Sequence, residues 1–109
     1  MGLRLFIESE DRKVNYYGTK FYGYMFFFAE DGKTYASVRY LFELGKLKDD
    51  DFFDYCSGVE ITLDAGQFAK FITLYAEEYL LIDPERDLLQ DGDIRALLAS
   101  DGDKFVTWG

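Results

Sequence analysis

The apolar side chains between residues 64 and 82 recur with the period of a helix. They are Phe68, Phe71, Ile72, Tyr75, Tyr79 and Ile82. Asp64 precedes them as a favourable N-cap, and Gln67 follows three residues later, as in a capping box. We therefore predict a helix over residues 65–81. Just before it, Val59–Leu63 alternates apolar and polar residues, which predicts a strand.

At the amino-terminal end the pattern changes to that of strands. Leu3–Ile7 is rich in strand-forming residues and predicts a first strand, followed by a polar turn over residues 8–13. Residues 14–29 are dense in aromatic and β-branched side chains, which predicts a long strand or a pair of strands. Gly18 and Gly23 are the expected bends or bulges within it.

A hairpin is predicted at Asp31-Gly32, because this dipeptide stands between two apolar stretches. The stretch before it covers residues 25–29, and the returning strand is expected over residues 34–41. The alternative for the far end of that strand, residues 40–47, is a short helix.

Three further segments complete the prediction. Residues 48–57 carry an aspartate cluster ahead of aromatic residues, and acidic side chains in a first turn favour a helix start. Asp83 is placed to cap a short helix over residues 84–90, which Gly92 is expected to close. Residues 93–108 fit either a helix followed by a terminal strand or a hairpin, and we predict the first.

These elements predict an α+β fold. We expect a small antiparallel sheet of about four to five strands packed against one main helix, at about residues 65–81, with one or two short helices. The chain has 109 residues, of which 49% are hydrophobic, and this is enough to bury a core. Residues 1–109 are therefore predicted to form a single compact domain.

The charge of the chain is strongly negative and unevenly distributed. Twenty-one acidic and 12 basic residues leave a formal net charge of −9. Residues 1–54 hold 10 acids and 8 bases, net −2, whereas residues 55–109 hold 11 acids and 4 bases, net −7. Such a field repels nucleic-acid phosphates and attracts basic protein surfaces. We expect a protein partner with a basic surface, and no direct nucleic-acid binding.

The residue types that most enzymes and metal sites use are scarce. The chain lacks histidine, and its one cysteine, Cys56, has acidic neighbours that disfavour a thiolate. We predict that the protein is not an enzyme and has no catalytic residue, metal or cofactor. The alternative is a small carboxylate-based enzyme, or a ligand-binding domain with a pocket between the main helix and the sheet. A lone cysteine and the lack of a long apolar run predict a cytoplasmic protein without membrane association.

Two groups of side chains are candidates for partner contacts. The first consists of acidic residues in two stretches, Asp49, Asp50, Asp51 and Asp54, and then Glu77, Glu78, Asp83, Glu85, Asp87, Asp91 and Asp93. The second is a group of tyrosines, because nine tyrosines exceed what a small core would hide and tyrosine is enriched at interfaces. Its members are Tyr16, Tyr17, Tyr22, Tyr24 and Tyr35.

Small size, acidity and the missing catalytic groups favour a protein-binding module. The composition is similar to that of small acidic phage-encoded anti-restriction and anti-CRISPR proteins and of bacterial toxin immunity proteins. This resemblance implies an inhibitor, immunity-type or antitoxin-like protein that docks on a basic nucleic-acid-handling protein, with nucleic-acid mimicry as one mode. The alternative is a structural or assembly subunit that self-associates, for instance as a homodimer, through a tyrosine-rich sheet face.

Overall fold

A computed structural model of the chain describes residues 2–18, 21–22, 35–48 and 60–108, with backbone only at residues 2–3 and 21–22. Within these ranges the helices are α1 (Ala36–Glu43), α2 (Ala65–Ile82) and α3 (Gly92–Ala99), and Leu88–Gln90 form one turn of 3₁₀ helix. The strands are β1 (Gly2–Leu3), β2 (Leu5–Ser9), β3 (Asn15–Tyr17), β4 (Phe21–Tyr22), β5 (Glu60–Leu63) and β6 (Lys104–Trp108). The predicted α+β class is confirmed.

Four of the strands form an antiparallel sheet in the order β3-β2-β6-β5. In this sheet Val106 is aligned with Ile7 on one side and with Ile61 on the other. The carboxyl-terminal strand thus lies between strands from the beginning and the middle of the chain. β1 and β4 pair separately as a two-stranded antiparallel ribbon.

One face of the four-stranded sheet is buried against α2. Alternate residues of each strand point into this layer because successive strand side chains project to opposite faces. The sheet contributes Leu5, Ile7, Tyr16, Ile61, Leu63, Val106 and Trp108. The ring of Phe71 on α2 meets the indole of Trp108 edge-on, with centroids 6.3 Å apart.

A buried cation interrupts this apolar face at the start of β6. Lys104 is only 1% exposed, and its Nζ donates hydrogen bonds to the carbonyl oxygens of Ser100 (3.0 Å) and Gly102 (2.8 Å). The ammonium group therefore ties the loop between α3 and β6 to the sheet. No pattern of apolar positions signals this contact, because lysine is ordinarily an exposed residue.

The main helix begins as predicted. The Asp64 carboxylate accepts a hydrogen bond from the Gln67 backbone N–H (2.8 Å), and the Gln67 side-chain oxygen accepts one from the Asp64 N–H (3.1 Å). α2 extends through Ile82 and ends at Asp83, whose backbone is extended. Pro84 follows Asp83, and a proline disfavours the helical conformation of the residue that precedes it.

The predicted returning strand over residues 34–41 is wrong, because α1 occupies residues 36–43. Ser37, Val38 and Leu41 are buried on the side that packs against α2. Their separation by one, three and four positions is the spacing of a helix face. The apolar alternation that suggested a strand is therefore incidental, and the hairpin turn itself lies outside the described residues.

The carboxyl end of α1 has a Schellman geometry. The Gly45 N–H donates to the Phe42 carbonyl (2.9 Å), and the Lys46 N–H donates to the Leu41 carbonyl (2.9 Å). Gly45 adopts φ +74°, a left-handed conformation that glycine tolerates readily. Gly45 was thus a signal of a helix end that the strand prediction did not use.

Other predicted elements have mixed outcomes. The helix predicted over residues 84–90 is wrong: a turn is followed by the 3₁₀ turn at Leu88–Gln90, capped by Asp87 and not by Asp83. Gly92 does not close a helix but begins α3. The order of helix and then strand over residues 93–108 is confirmed. The helix predicted at residues 48–57 falls almost entirely outside the residues described.

Candidate functional site

The acidic residues between Glu77 and Asp93 lie at one end of the α2 layer. They occupy the last turns of α2, the loop that follows it and the first turn of α3. The 3₁₀ turn within that loop packs against both helices. We call the following set the acidic surface: Glu77, Asp83, Glu85, Asp87, Asp91 and Asp93. Asp49, Asp50, Asp51 and Asp54 lie outside the described residues.

Three aspartates of the acidic surface also stabilise the local backbone. Asp83, Asp87 and Asp91 each accept hydrogen bonds from backbone N–H groups two or three residues later. Asp91 is the N-cap of α3, so its carboxylate binds donors that the first helical turn leaves free. The donors are the N–H groups of Glu85, Leu89, Asp93 and Ile94, at distances between 2.9 and 3.2 Å. These three aspartates therefore stabilise the loop in addition to contributing negative charge.

Glu78, although predicted to belong to the candidate surface, forms a contact between α2 and α1. Its carboxylate accepts hydrogen bonds from the Ser37 backbone N–H (2.7 Å) and the Ser37 Oγ (2.8 Å) at the start of α1. Tyr35, the N-cap of α1, makes no capping hydrogen bond with its own side chain. Burial raises the pKa of Glu78, although the two hydrogen bonds from Ser37 act in the opposite direction. Glu78 therefore caps α1 from a neighbouring helix.

The remaining carboxylates of the acidic surface carry most of its exposed charge. Glu77, Glu85, Asp87 and Asp93 are exposed, and no lysine or arginine in the described ranges forms an ion pair with any of them. The ion pair on this surface joins Arg86 Nη2 to Asp91 Oδ2 at 3.7 Å. Among the described residues, these four carboxylates therefore lack an ion-pair partner.

The tyrosines predicted to form a contact face are separated by the fold. Tyr16 is 2% exposed and belongs to the core, so it is not one of the exposed tyrosines among the five candidates. Tyr16 lies at an inward-facing position of β3, and burial raises the pKa of Tyr16 to about 12. Tyr17, the next residue, projects to the opposite face and is 63% exposed. Tyr35 is half-buried, and the side chains of Tyr22 and Tyr24 lie outside what the structure describes.

The face of the sheet opposite α2 carries a cluster that the sequence pattern did not reveal. The guanidinium of Arg12 lies 4.5 Å from the ring centroid of Phe105 and approaches the carboxylates of Glu8 (3.1 Å) and Glu60 (3.8 Å). Arg12 adopts φ +60° in the turn between β2 and β3. Glu8 and Glu60 are therefore paired with a cation, in contrast with the exposed carboxylates of the acidic surface.

Two exposed leucines at the end of α2 were also missed. Leu81 is 75% exposed and Leu80 is 37% exposed, whereas Tyr79 beside them is buried. On a helix Leu81 lies two positions, about 200°, beyond Tyr79 and so on the opposite side. The helical period that identified the buried face could therefore have identified Leu81 as exposed.

Two further features are absent from the described part of the chain. In those residues no three histidine, cysteine, aspartate or glutamate side chains are grouped to hold a metal ion. Nor does any helix there have the length and apolarity needed to cross a membrane. Comparison with known proteins finds no matching family model, no matching curated protein and no matching solved structure.

Proposed function

We propose that the protein is a small acidic protein-binding module that inhibits a basic nucleic-acid-handling protein. The supporting observation is a set of exposed carboxylates, at Glu77, Glu85, Asp87 and Asp93, that form no ion pair with a described lysine or arginine. Concentrated negative charge attracts a basic partner over a distance of about one Debye length, roughly 10 Å, and accelerates association.

Inhibition would follow from competition for the basic surface. A protein that binds nucleic acid presents lysine and arginine to phosphates, and carboxylates on a rigid scaffold occupy the same positions. Such a module acts in the cytoplasm as a counter-defence, immunity-type or antitoxin-like protein, and nucleic-acid mimicry describes its mode of binding. α2 and the capped loop supply the rigid scaffold, because Asp83, Asp87 and Asp91 fix the backbone between the exposed acids.

The test compares charge reversal on and off the acidic surface. The Glu77→Lys/Glu85→Lys variant reverses two exposed charges that make no capping hydrogen bond. The matched control is Glu43→Lys. Glu43 is exposed at the carboxyl end of α1, which runs antiparallel to α2: Ser37 binds Glu78, while Tyr40 lies under the ammonium of Lys70. The control therefore lies far from the end of α2.

Each form is immobilised and used to capture proteins from a lysate of the native host at low and at moderate salt. The proposal expects recovery of a basic nucleic-acid-binding protein by wild type and Glu43→Lys, and weaker recovery by the double variant. The purified module should also compete with nucleic acid for that protein. Capture that is indifferent to the double reversal, or a partner that does not handle nucleic acid, would contradict the proposal.

A second function, self-association through the sheet, is favoured by the exposure of Tyr17. Its ring packs edge-on against Phe6 on the face opposite α2, with centroids 5.1 Å apart. This leaves an aromatic surface beside an edge strand of the sheet. Light scattering at high micromolar concentration tests it: a dimer abolished by Tyr17→Ser supports the assembly function, and a strict monomer excludes it.

A further inference from the structure

The exposed leucines lie in the last turn of α2, next to the acidic surface. Glu77 is three positions before Leu80 and four positions before Leu81, so all three side chains share one side of the helix. Glu85 is exposed in the turn directly beyond the helix end. An apolar spot at the end of α2 therefore has the Glu77 carboxylate on the same side of the helix, and Glu85 follows it closely in the sequence.

The backbone adds to the negative potential around these leucines. The carboxyl end of a helix carries a partial negative charge, and basic side chains in the last turn ordinarily offset it. The last turn of α2 contains no basic residue. Arg86, the nearest cation in sequence, lies over the ring of Tyr79 at 5.8 Å and pairs with Asp91. Nothing described in the last turn of α2 neutralises the field at Leu81.

We propose that Leu80 and Leu81 are the apolar anchor of a docking site for a basic protein segment that carries apolar side chains among its lysines or arginines. This inference rests on the proposed function and deepens it by specifying the chemistry of the partner's surface. Charge complementarity selects this occupant. A second copy of the chain would bring like carboxylates together across a two-fold axis, and nucleic acid or an anionic lipid surface would be repelled.

The two parts of the site have different kinetic roles. The carboxylates act over a distance, so they govern the association rate and its dependence on salt. Leu80 and Leu81 act only on contact, so they govern the dissociation rate, which salt affects little. A surface that only imitated a polyanion would lack this second part.

Two fluorescent helical peptides of about 16 residues are the probes, since shorter helices are marginal in water. Both have the same lysines; one has a leucine face, and in the other glutamine replaces each leucine. The protein variants are Leu80→Gln/Leu81→Gln and, as the matched control, Leu98→Gln. Leu98 is 40% exposed on α3, and glutamine retains the helix propensity of leucine.

Wild type should bind the leucine peptide at least about 10-fold more tightly than the glutamine peptide, from the burial of leucine side chains. The Leu80→Gln/Leu81→Gln variant should lose this preference, and the Leu98→Gln variant should keep it. Equal binding of both peptides by wild type would overturn the anchor and leave the acidic docking function standing. Failure of both peptides to bind at low salt would overturn the two proposals together. Sedimentation of the protein alone is the last measurement, and a dimer lost in the double variant would overturn the inference in favour of a second copy.

Discussion

The Glu78 carboxylate caps the amino terminus of α1 through two hydrogen bonds from Ser37, a residue 41 positions away in the chain. α1 thus receives capping acceptors from α2, whereas the side chain of its own N-cap residue, Tyr35, makes no capping hydrogen bond. A charged group in a half-buried position makes this contact sensitive to pH.

Lowering the pH should stabilise wild type relative to the Glu78→Gln variant. The pKa of Glu78 is raised in the folded state above its ordinary value of 4.5, chiefly by burial. The folded state therefore binds the proton more tightly than the unfolded state, and this contribution to stability falls as pH rises through the folded pKa. The difference in unfolding free energy between the two proteins should change between pH 4.5 and the raised pKa, and be flat on either side. Urea unfolding at several pH values measures it.

The matched variant for this contact is Ser37→Ala. Loss of the Ser37 hydroxyl removes a donor to the ionised carboxylate, so the Glu78 pKa should rise further and the pH-dependent window should extend upward. A difference between wild type and Glu78→Gln that does not vary with pH would contradict the raised pKa of Glu78.

Asp91 should be more important as a helix cap than as a charge. Asp91→Ala should lower the unfolding free energy by about 1 kcal/mol, because the N–H groups of Asp93 and Ile94 lose their acceptor. Asp91→Asn keeps a capping oxygen and loses only the ion pair with Arg86, so most of the stability should remain. Chemical denaturation measures the unfolding free energy of the two variants. If both lose the same amount of stability, the charge of Asp91 contributes more than its capping hydrogen bonds.

The left-handed conformation of Arg12 predicts an unusual order of stability among its variants. Arg12→Ala loses the contacts with Phe105, Glu8 and Glu60 but keeps the unfavourable φ of +60°. Arg12→Gly loses the same contacts and relieves the backbone, so it should be more stable than the alanine variant by about 1 kcal/mol. Thermal unfolding of both variants measures the difference. If Arg12→Ala is the more stable of the two, the left-handed conformation at residue 12 is excluded.

Phe71 should be among the side chains most important for stability. It is fully buried between α2 and the sheet and contacts Trp108 edge-on. Phe71→Ala should lower the unfolding free energy by about 3–5 kcal/mol, through lost burial and the cavity that remains. Trp108, the one tryptophan, is 1% exposed, so its fluorescence should shift to longer wavelength on unfolding and report the loss.

The fold was predictable where local and periodic signals agreed. Asp64, Gln67 and the apolar period all indicate the same start for α2, and the structure has it there. In α1 the signals conflicted: over eight residues an apolar alternation and a helical spacing overlap, and a short segment does not separate them. One contact that stabilises the helix comes from Glu78, which is 41 positions away in the chain and so contributes to no local pattern.

The candidate site shows the same division between composition and geometry. The excess of carboxylates near the carboxyl terminus was visible as a count of residues. Whether a carboxylate caps a backbone or faces solvent depends on turn geometry, so Asp91 and Glu85 could not be distinguished beforehand. The exposure of Leu81, in contrast, follows from the helical period, because Leu81 lies on the side of α2 opposite the buried Tyr79.

The central position of β6 determines when the sheet can assemble during synthesis. This strand separates β2 from β5, so neither has its inner neighbour until residues 104–108 are available. A ribosome covers the most recently made residues of a nascent chain, and a chain emerging from it therefore has α2 without the sheet that buries its apolar face. Folding must wait until Trp108 has left the ribosomal tunnel, and truncation before residue 104 should leave a chain that chaperones recognise as unfolded.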